Sequence, residues 1–155
     1  MDAAVSQTVD EAKAWLEGQQ AEDGHWVFEL EADVTISSEF IMLNHFLDEV
    51  KNDIEKKLAA YLRAKQGSHG GWPLFHDGDF NMSSSVKAYY ALKITGEDIN
   101  APHMVRAREA ILAHGGAAKC NVFTRSALAM FGQVPWRAIP VMRIEAVLLP
   151  KWFPF

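Results

Sequence analysis

Hydrophobic positions recur along this chain at the spacing of amphipathic α-helices. Ala12, Trp15 and Leu16 share one helix face. In a later segment the apolar residues lie at i, i+4, i+7 and i+8, and they are Ile54, Leu58, Tyr61 and Leu62. No segment shows a convincing alternation of apolar and polar residues with a period of two, which is typical of strands. The pattern therefore predicts an all-α fold.

Capping residues, glycines and prolines define the predicted helix boundaries. Thr8 with Glu11 predicts a capping box at the first helix, and Asn52 with Glu55 predicts an N-cap at the third. Both helices should end near a glutamine, because glycines follow. The other predicted helices span about 37–47, 83 or 84 to 96, 102–115, 123–131 and 141–149. We expect the following residues to form the apolar faces of the second and fourth helices: Phe40, Leu43 and Phe46, then Val86, Tyr89 and Tyr90.

The first two helix pairs are copies of one repeat, offset by 46 residues. Seven identities fall in a single register: Leu16 with Leu62, Gln20 with Gln66, Gly24 with Gly70, Trp26 with Trp72, Asp33 with Asp79, Ser37 with Ser83 and Ser38 with Ser84. Conservative matches, such as Phe40 with Val86 and Phe46 with Leu92, support this register. Stacked helix pairs of this kind form solenoids or close into α/α barrels.

Each repeat contains the pattern Leu-x3-Gln-x3-Gly-x-Trp at identical internal spacing. The residues are Gln20, Gly24 and Trp26 in the first repeat and Gln66, Gly70 and Trp72 in the second. A glutamine amide at a helix end can satisfy backbone groups that lack an intrahelical partner, and it can also lie against the indole. The glycine permits the turn that brings the two side chains together. These residues are therefore predicted to be structural and not catalytic.

Composition and charge exclude several classes of protein. The chain has 155 residues, of which 49% are apolar, so it is neither disordered nor fibrous. A formal net charge of −5 without a basic block argues against nucleic acid as a partner. No apolar run is long enough to span a bilayer, and no secretory signal is visible after Met1. Cys120 is the only cysteine, which argues against disulfides and predicts a buried or half-buried thiol.

The polar residues allow two other interpretations, a metal site and a serine hydrolase site. The segment 76–79, with His69 nearby, could bind a divalent ion. However, Asp79 matches Asp33 in a repeat that has no matching histidine, and a turn or helix-cap role explains both aspartates. A serine hydrolase is disfavoured because no Gly-x-Ser-x-Gly elbow surrounds the serine run 83–85. We therefore predict no metal site and no catalytic serine.

The paired motif resembles the QW motif of triterpene cyclases, and the sequence around it narrows the match. Several stretches resemble the N-terminal region of bacterial squalene–hopene cyclases, which are class II triterpene cyclases. They include Asp23-Gly24-His25-Trp26, Gly70-Gly71-Trp72-Pro73 and Phe131-Gly132-Gln133-Val134-Pro135-Trp136. The resemblance covers nearly the whole chain, from Val9 to Phe155. It implies that residues 1–155 form the N-terminal part of an α/α barrel of the terpenoid cyclase type.

The resemblance also implies a reaction. Such enzymes protonate the terminal alkene of squalene and carry it through a carbocation cascade to hopene and hopanol, without a metal or redox cofactor. A D-x-D-D motif supplies the proton, and aromatic rings stabilise the cations. This chain contains no D-x-D-D, and Asp77-Gly78-Asp79 is the nearest approach. We therefore expect the front portion of a cyclase, with no catalytic residue of its own and no activity alone.

Glu39 is the one residue for which the resemblance implies a place in the substrate cavity, within a polar network near the deprotonation end. The alternative is a solvated carboxylate at the start of a helix. Some members of the family have a glutamate where Lys87 stands, an arginine where Asn121 stands and a tryptophan where Ala127 stands. This chain departs from the family pattern at those three positions.

The resemblance implies three partners: squalene, the missing C-terminal part of the enzyme and a membrane surface. It also implies a bacterial protein attached monotopically to the cytoplasmic side of the membrane, with a homodimer of the complete enzyme as one assembly. The aromatic residues Trp152, Phe153 and Phe155 suit either a membrane patch or an interdomain interface.

Two further interpretations stay open. The chain could be a non-catalytic α-helical scaffold or lipid-binding module that has lost the acid motif. It could also be a helical domain of another class II terpene cyclase, although the stretches Phe123-Thr124-Arg125 and Val134-Pro135-Trp136 favour the squalene type. A D-x-D-D sequence further along the gene would distinguish an enzyme from a scaffold.

Overall fold

The structure, a computed structural model, describes residues 3–28, 31–140 and 150. Six α-helices are found in this part of the chain: α1 (Ala3–Gly18), α2 (Val34–Phe46), α3 (Asn52–Ala64), α4 (Met82–Ile94), α5 (Pro102–Ala113) and α6 (Val122–Met130). Two short 3₁₀ turns follow α5 and α6, at Ala117–Lys119 and Trp136–Ala138. The described residues contain no strand, so the prediction of an all-α fold is confirmed. The predicted helix 141–149 and the aromatic C-terminal residues lie outside them.

The first compact unit, residues 1–31, contains α1 and the loop that follows it. None of the residues of α1 is buried within this chain. The rings of Trp15 and Phe28 stack with their centroids 5.9 Å apart. The predicted capping box is wrong, because the helix begins at Ala3 and the Thr8 hydroxyl donates to the Ala4 carbonyl from inside it. A threonine in a helix interior can bond to the carbonyl four residues before it, which a sequence pattern does not distinguish from a cap.

The second compact unit, residues 32–155, is organised around α4. This helix packs against α2, α3, α5 and α6. One core cluster joins α4 to α2, α3 and α5, and its largest side chains are Ile41, Leu62, Trp72, Leu92 and Met104. A second cluster joins α4 to the α6 side, with Met42, Val86, Tyr90, Cys120 and Leu128. Because α4 contributes to both clusters, it fixes the positions of the other helices in this unit.

Side-chain caps set where α2 and α4 begin, and both helices start earlier than predicted. Asp33 caps α2 by accepting the Thr35 amide at 2.7 Å, which agrees with its predicted cap role. The corresponding cap of α4 is Asn81, so the helix-cap role, one of the two roles predicted for Asp79, is wrong. The helices therefore start 48 residues apart (34 and 82), whereas the sequence repeat is 46.

The predicted N-cap of α3 is also wrong by one residue. Lys51 occupies the cap position without a side-chain hydrogen bond, and Asn52 is the first residue of the helix. The Glu55 carboxylate does not reach back to the helix start. The Glu55 Oε2 lies 2.6 Å from the His45 Nε2 of α2, and this pair links the two helices.

The predicted apolar face of α2 is wrong, since Phe40, Leu43 and Phe46 are all exposed. The buried side of α2 carries Val34, Ile41 and Met42 instead. The reason is that α2 has apolar residues on most of its circumference, so periodicity does not decide which side faces the core. By contrast, the predicted positions of α5 and α6 are confirmed. Pro102 begins α5, and glycines follow the ends of both helices.

In the part of the chain that the structure describes, no helix has both the length and the apolar character needed to cross a membrane.

Candidate functional site

Trp72 connects the end of α3 to the core. Its indole Nε1–H donates to the Leu62 carbonyl at 2.8 Å, and the side chain is completely buried. Leu62 lies in the last turn of α3, where carbonyl groups lack the amide four residues on. The Gln66 amide bonds to Arg63 instead, so the indole supplies the missing donor for Leu62. Ser85 of α4 holds the Trp72 backbone, accepting its amide at 2.8 Å.

Gln66 extends this connection to α5. Its Nε2 group donates to the carbonyls of Gly70 at 2.7 Å and His103 at 2.9 Å, and its Oε1 accepts from Arg106 at 3.0 Å. Gly70 has a φ of +86°, and a Cβ there would lie 2.9 Å from the Arg106 carbonyl oxygen. Only glycine therefore fits this close approach. The sequence predicted a structural role for Gln66, but it carried no signal for its contacts with His103 and Arg106.

The first repeat has the two hydrogen bonds that lie within the motif, but without the burial. The Trp26 indole donates to the Leu16 carbonyl at 2.7 Å, and the Gln20 amide donates to the Gly24 carbonyl at 2.6 Å. Gly24 has a φ of +90°, close to that of Gly70. Trp26 is nevertheless 46% exposed, whereas Trp72 is 0% exposed. The two motifs therefore share local geometry and differ in what covers them.

Substitution of Gln66 by alanine is expected to lower the free energy of unfolding by about 1–2 kcal/mol, because two carbonyls lose a donor and Arg106 loses its acceptor. The matched change Gln20→Ala removes an exposed bond within one loop, so its effect should be within about 0.5 kcal/mol. Urea unfolding followed by tryptophan fluorescence measures both. Equal losses for the two variants would contradict the assigned role of Gln66 in joining α3 to α5.

Glu39 of α2 and Lys87 of α4 form an ion pair between the two helices. The Lys87 Nζ lies 2.5 Å from the Glu39 Oε1. The Lys87 side chain is only 9% exposed, whereas that of Glu39 is 51% exposed. A buried ammonium group requires a counter-ion, and Glu39 provides it. The carboxylate is thereby held at the surface of α2 with part of it open to solvent.

Three more polar residues lie beside this pair, and we call the five residues together the α2–α4–α6 polar cluster: Glu39, Ser83, Lys87, Cys120 and Asn121. The Asn121 amide donates to the Ser83 hydroxyl at 3.0 Å. The Asn121 side chain caps α6 by accepting the Thr124 amide at 2.9 Å. Ala127 packs partly buried against the second core cluster.

The Cys120 thiol of this cluster has a perturbed pKa. Burial of the thiol raises its pKa from 9.0 to about 11, although Arg125, Lys87 and a hydrogen bond with Ser83 act in the opposite direction. The thiol lies 3.8 Å from the Met82 carbonyl, to which it donates. Burial of Cys120 agrees with the sequence prediction.

A thiol reagent at pH 8 is expected to label Cys120 slowly in the folded chain and rapidly in urea, because the reactive thiolate is suppressed by burial. The Cys120 thiol loses its proton at lower pH in the unfolded state than in the folded state. Its contribution to stability is therefore complete below pH 9 and is lost as pH rises toward 11. Labelling with a chromogenic disulfide measures the rates. Native labelling as fast as that of an exposed cysteine introduced by Lys56→Cys would contradict this prediction.

The structure assigns other roles to the residues of the two rival sites. Ser84 and Ser85 are fully buried and bond to the backbone of Pro73 and Trp72, while Ser83 accepts from Asn121. His76 and Asp77 lie side by side with almost fully exposed side chains. Within residues 3–28, 31–140 and 150, no three side chains of the metal-binding types are grouped closely enough to hold an ion.

A family model described as the squalene-hopene cyclase N-terminal domain matches residues 9–155 of this chain. The chain belongs to the squalene–hopene cyclase family. Squalene–hopene cyclases are triterpene cyclases with a helical fold, which agrees with the helix-pair repeats described above. The QW-type motifs, with the hydrogen bonds made by the Trp26 and Trp72 indoles, are thus elements of a cyclase N-terminal domain.

Individual relatives agree with the family assignment. A squalene–hopene cyclase from Bradyrhizobium diazoefficiens is 64% identical over 139 residues, covering 89% of this chain and 21% of the relative. A squalene-hopene cyclase from Schizosaccharomyces japonicus is 56% identical over 97% of this chain, and one from Zymomonas mobilis is 52% identical over 97%. Each of these two alignments covers 23% of the relative. The chain therefore spans about a fifth to a quarter of the length of these curated relatives.

Proposed function

We propose that the 155 residues are the N-terminal portion of a squalene–hopene cyclase, and that the complete enzyme converts squalene to hopene and hopanol. The family match over residues 9–155 is the observation that carries this proposal. The reaction is an alkene protonation followed by a carbocation cascade, which makes the enzyme an isomerase, with a hydro-lyase activity when water captures the last cation. It needs no metal or redox cofactor.

Within that enzyme this portion supplies structure and part of the cavity wall. Its 155 residues contain no D-x-D-D, so the protonating acid belongs to residues outside them, and these residues alone are inactive. The hydrogen bonds made by Gln66 and Trp72 stiffen the helix pairs around which the rest of the barrel is built. We assign residues 1–155 to one N-terminal domain, which forms part of an α/α barrel.

Glu39 is the residue of this portion that we assign to the substrate cavity. Its carboxylate is half exposed on α2 and pairs with the buried Lys87 ammonium. A fixed anion beside an apolar surface suits the end of a carbocation cascade, where a positive charge and a proton must be accommodated. The ion pair with Lys87 takes part in orienting the Glu39 carboxylate.

The chemistry of the substrate determines the proposed location. Squalene is a hydrocarbon that dissolves in the bilayer, so an enzyme acting on it benefits from direct contact with the membrane. We assign the complete enzyme to the cytoplasmic side of a bacterial membrane as a monotopic protein, with a homodimer as its assembly. Squalene and the membrane are then partners of the complete enzyme, and its C-terminal part is the partner of these 155 residues.

A chimera tests the proposed activity. The 139 matched residues of the Bradyrhizobium diazoefficiens enzyme are replaced by the aligned residues of this chain, and conversion of squalene is followed by gas chromatography. The expected result is formation of hopene and hopanol by the chimera. Its matched control carries Asp→Asn substitutions in the D-x-D-D motif of the relative and should be inactive. A folded chimera that leaves squalene unchanged would overturn the proposal.

The exposed apolar residues of α1 and α2 favour one alternative, a lipid-binding or scaffold module without catalysis. That alternative predicts that the gene of this protein encodes no D-x-D-D motif, and that the unmodified chain binds to liposomes loaded with squalene. A reading frame that continues to a D-x-D-D motif excludes it.

A further inference from the structure

An uncovered apolar stripe runs along one side of α2. Its residues are spaced by four, three and four positions, which places them on a single helix face, and all of them are exposed: Ile36, Phe40, Leu43 and Leu47. This stripe is distinct from the side of α2 that carries Val34, Ile41 and Met42 into the core. We call it the α2 stripe.

The second repeat covers two of the four corresponding positions. In the 46-residue register, Phe40 and Leu43 correspond to Val86 and Tyr89 of α4. Val86 is buried and Tyr89 is partly buried, because α4 has helices packed along both of its flanks. Among the described residues of this unit, α2 packs mainly against α3 and α4, and the four residues of the α2 stripe remain exposed. In the described part of residues 32–155, Phe40 and Leu43 are therefore more exposed than their counterparts in α4.

The length of the relatives indicates what covers the α2 stripe in the complete protein. The region matched by this chain makes up 21–23% of those proteins, so roughly three quarters of each lies outside it. Charge argues against an anionic lipid surface as the occupant, because Asp48 and Glu49 lie exposed at the end of the stripe beside a single lysine, Lys51. Surfaces that bind such lipids are rich in lysine and arginine.

We infer that the α2 stripe is the docking face for a helix of the cyclase that lies outside these 155 residues. The inference rests on the proposed function, since it takes the partner from the remainder of a squalene–hopene cyclase. Glu39 lies next to Phe40 on the same helix, so docking at the stripe also encloses one side of the Glu39 carboxylate. The partner thereby converts an open ion pair into part of a cavity wall.

Cysteine labelling measures this contact directly. Leu43→Cys is introduced into the 155-residue chain and into the chimera described above, and the labelling rate by a maleimide is read at that site by mass spectrometry. The expected result is at least about tenfold slower labelling in the chimera, because a docked helix must open before the thiol reacts. Lys56→Cys, on the exposed side of α3, is the matched control and should react equally fast in both.

Equal rates for Leu43→Cys in the chain and the chimera would overturn the inference. So would protection in the chain alone that increases with protein concentration, which indicates a second copy, or protection that requires liposomes. Activity separates the two proposals: a chimera that cyclises squalene without protecting Leu43→Cys refutes only the docking face. A chimera that protects it without cyclising squalene refutes only the proposed activity.

A second design covers the case in which the fused chimera does not fold. The chain and the complementary portion of the Bradyrhizobium enzyme are co-expressed as separate polypeptides and purified through a tag on one of them. Co-purification is expected for the unmodified chain and for the control Phe75→Glu, which changes an exposed apolar residue outside the stripe. It should be lost for the double variant Phe40→Glu/Leu43→Glu. Failure of the unmodified chain to co-purify, or retention of the double variant, overturns the inference.

Discussion

Replacing Trp72 with alanine is expected to lower the free energy of unfolding by about 3–5 kcal/mol, the range for removing a large aromatic side chain from a core. The indole is completely buried among α3, α4 and α5, and it donates the hydrogen bond that satisfies the Leu62 carbonyl. The substitution therefore creates a cavity and also leaves a backbone acceptor at a helix end without its donor. Urea denaturation, followed by circular dichroism at the helix band, measures the loss.

Trp26→Ala is the matched control for this prediction. It removes the same residue from the same motif and breaks the same type of bond, to the Leu16 carbonyl. Because almost half of the Trp26 side chain is exposed, the expected loss is only about 1 kcal/mol. Similar effects of the two substitutions would mean that the local motif geometry, and not burial of the indole, determines stability.

The sequence predicted the parts of the fold that local signals define. Pro102 and Gly115 bound α5, and Gly132 follows α6, so these helices were located within a few residues. The QW-type motif is recognisable in the sequence because its residues lie close together along the chain. Helix starts that depend on competing caps, such as Asp33 and Asn81, were placed less accurately.

Long-range features could not be derived in this way. α2 is apolar around most of its surface, so only the positions of α3 and α4 determine that Ile41 is buried and Phe40 is not. Likewise, Glu39 and Lys87 are separated by 48 residues and lie on different helices. Nothing in either local sequence indicates the pairing, which follows from how closely α2 and α4 pack.

Removing the Glu39 charge is expected to destabilise the chain more than removing its partner. Glu39→Gln leaves the buried Lys87 ammonium without its counter-ion, which should cost about 2–3 kcal/mol. This is less than the roughly 3–5 kcal/mol for a fully buried pair, because the carboxylate is half exposed. Lys87→Met keeps a similar volume and leaves a carboxylate that water can solvate, so its expected cost is below about 1 kcal/mol.

The double variant Glu39→Gln/Lys87→Met provides the decisive comparison. With the buried ammonium removed, the loss of the carboxylate no longer matters, so the double variant should be more stable than Glu39→Gln alone by about 1–2 kcal/mol. Urea unfolding of the four proteins gives the coupling energy directly. Additive losses would show that the two side chains act independently and would remove Lys87 as the residue that orients Glu39. Rescue by methionine would show instead that α4 buries a lysine only because α2 supplies its counter-ion.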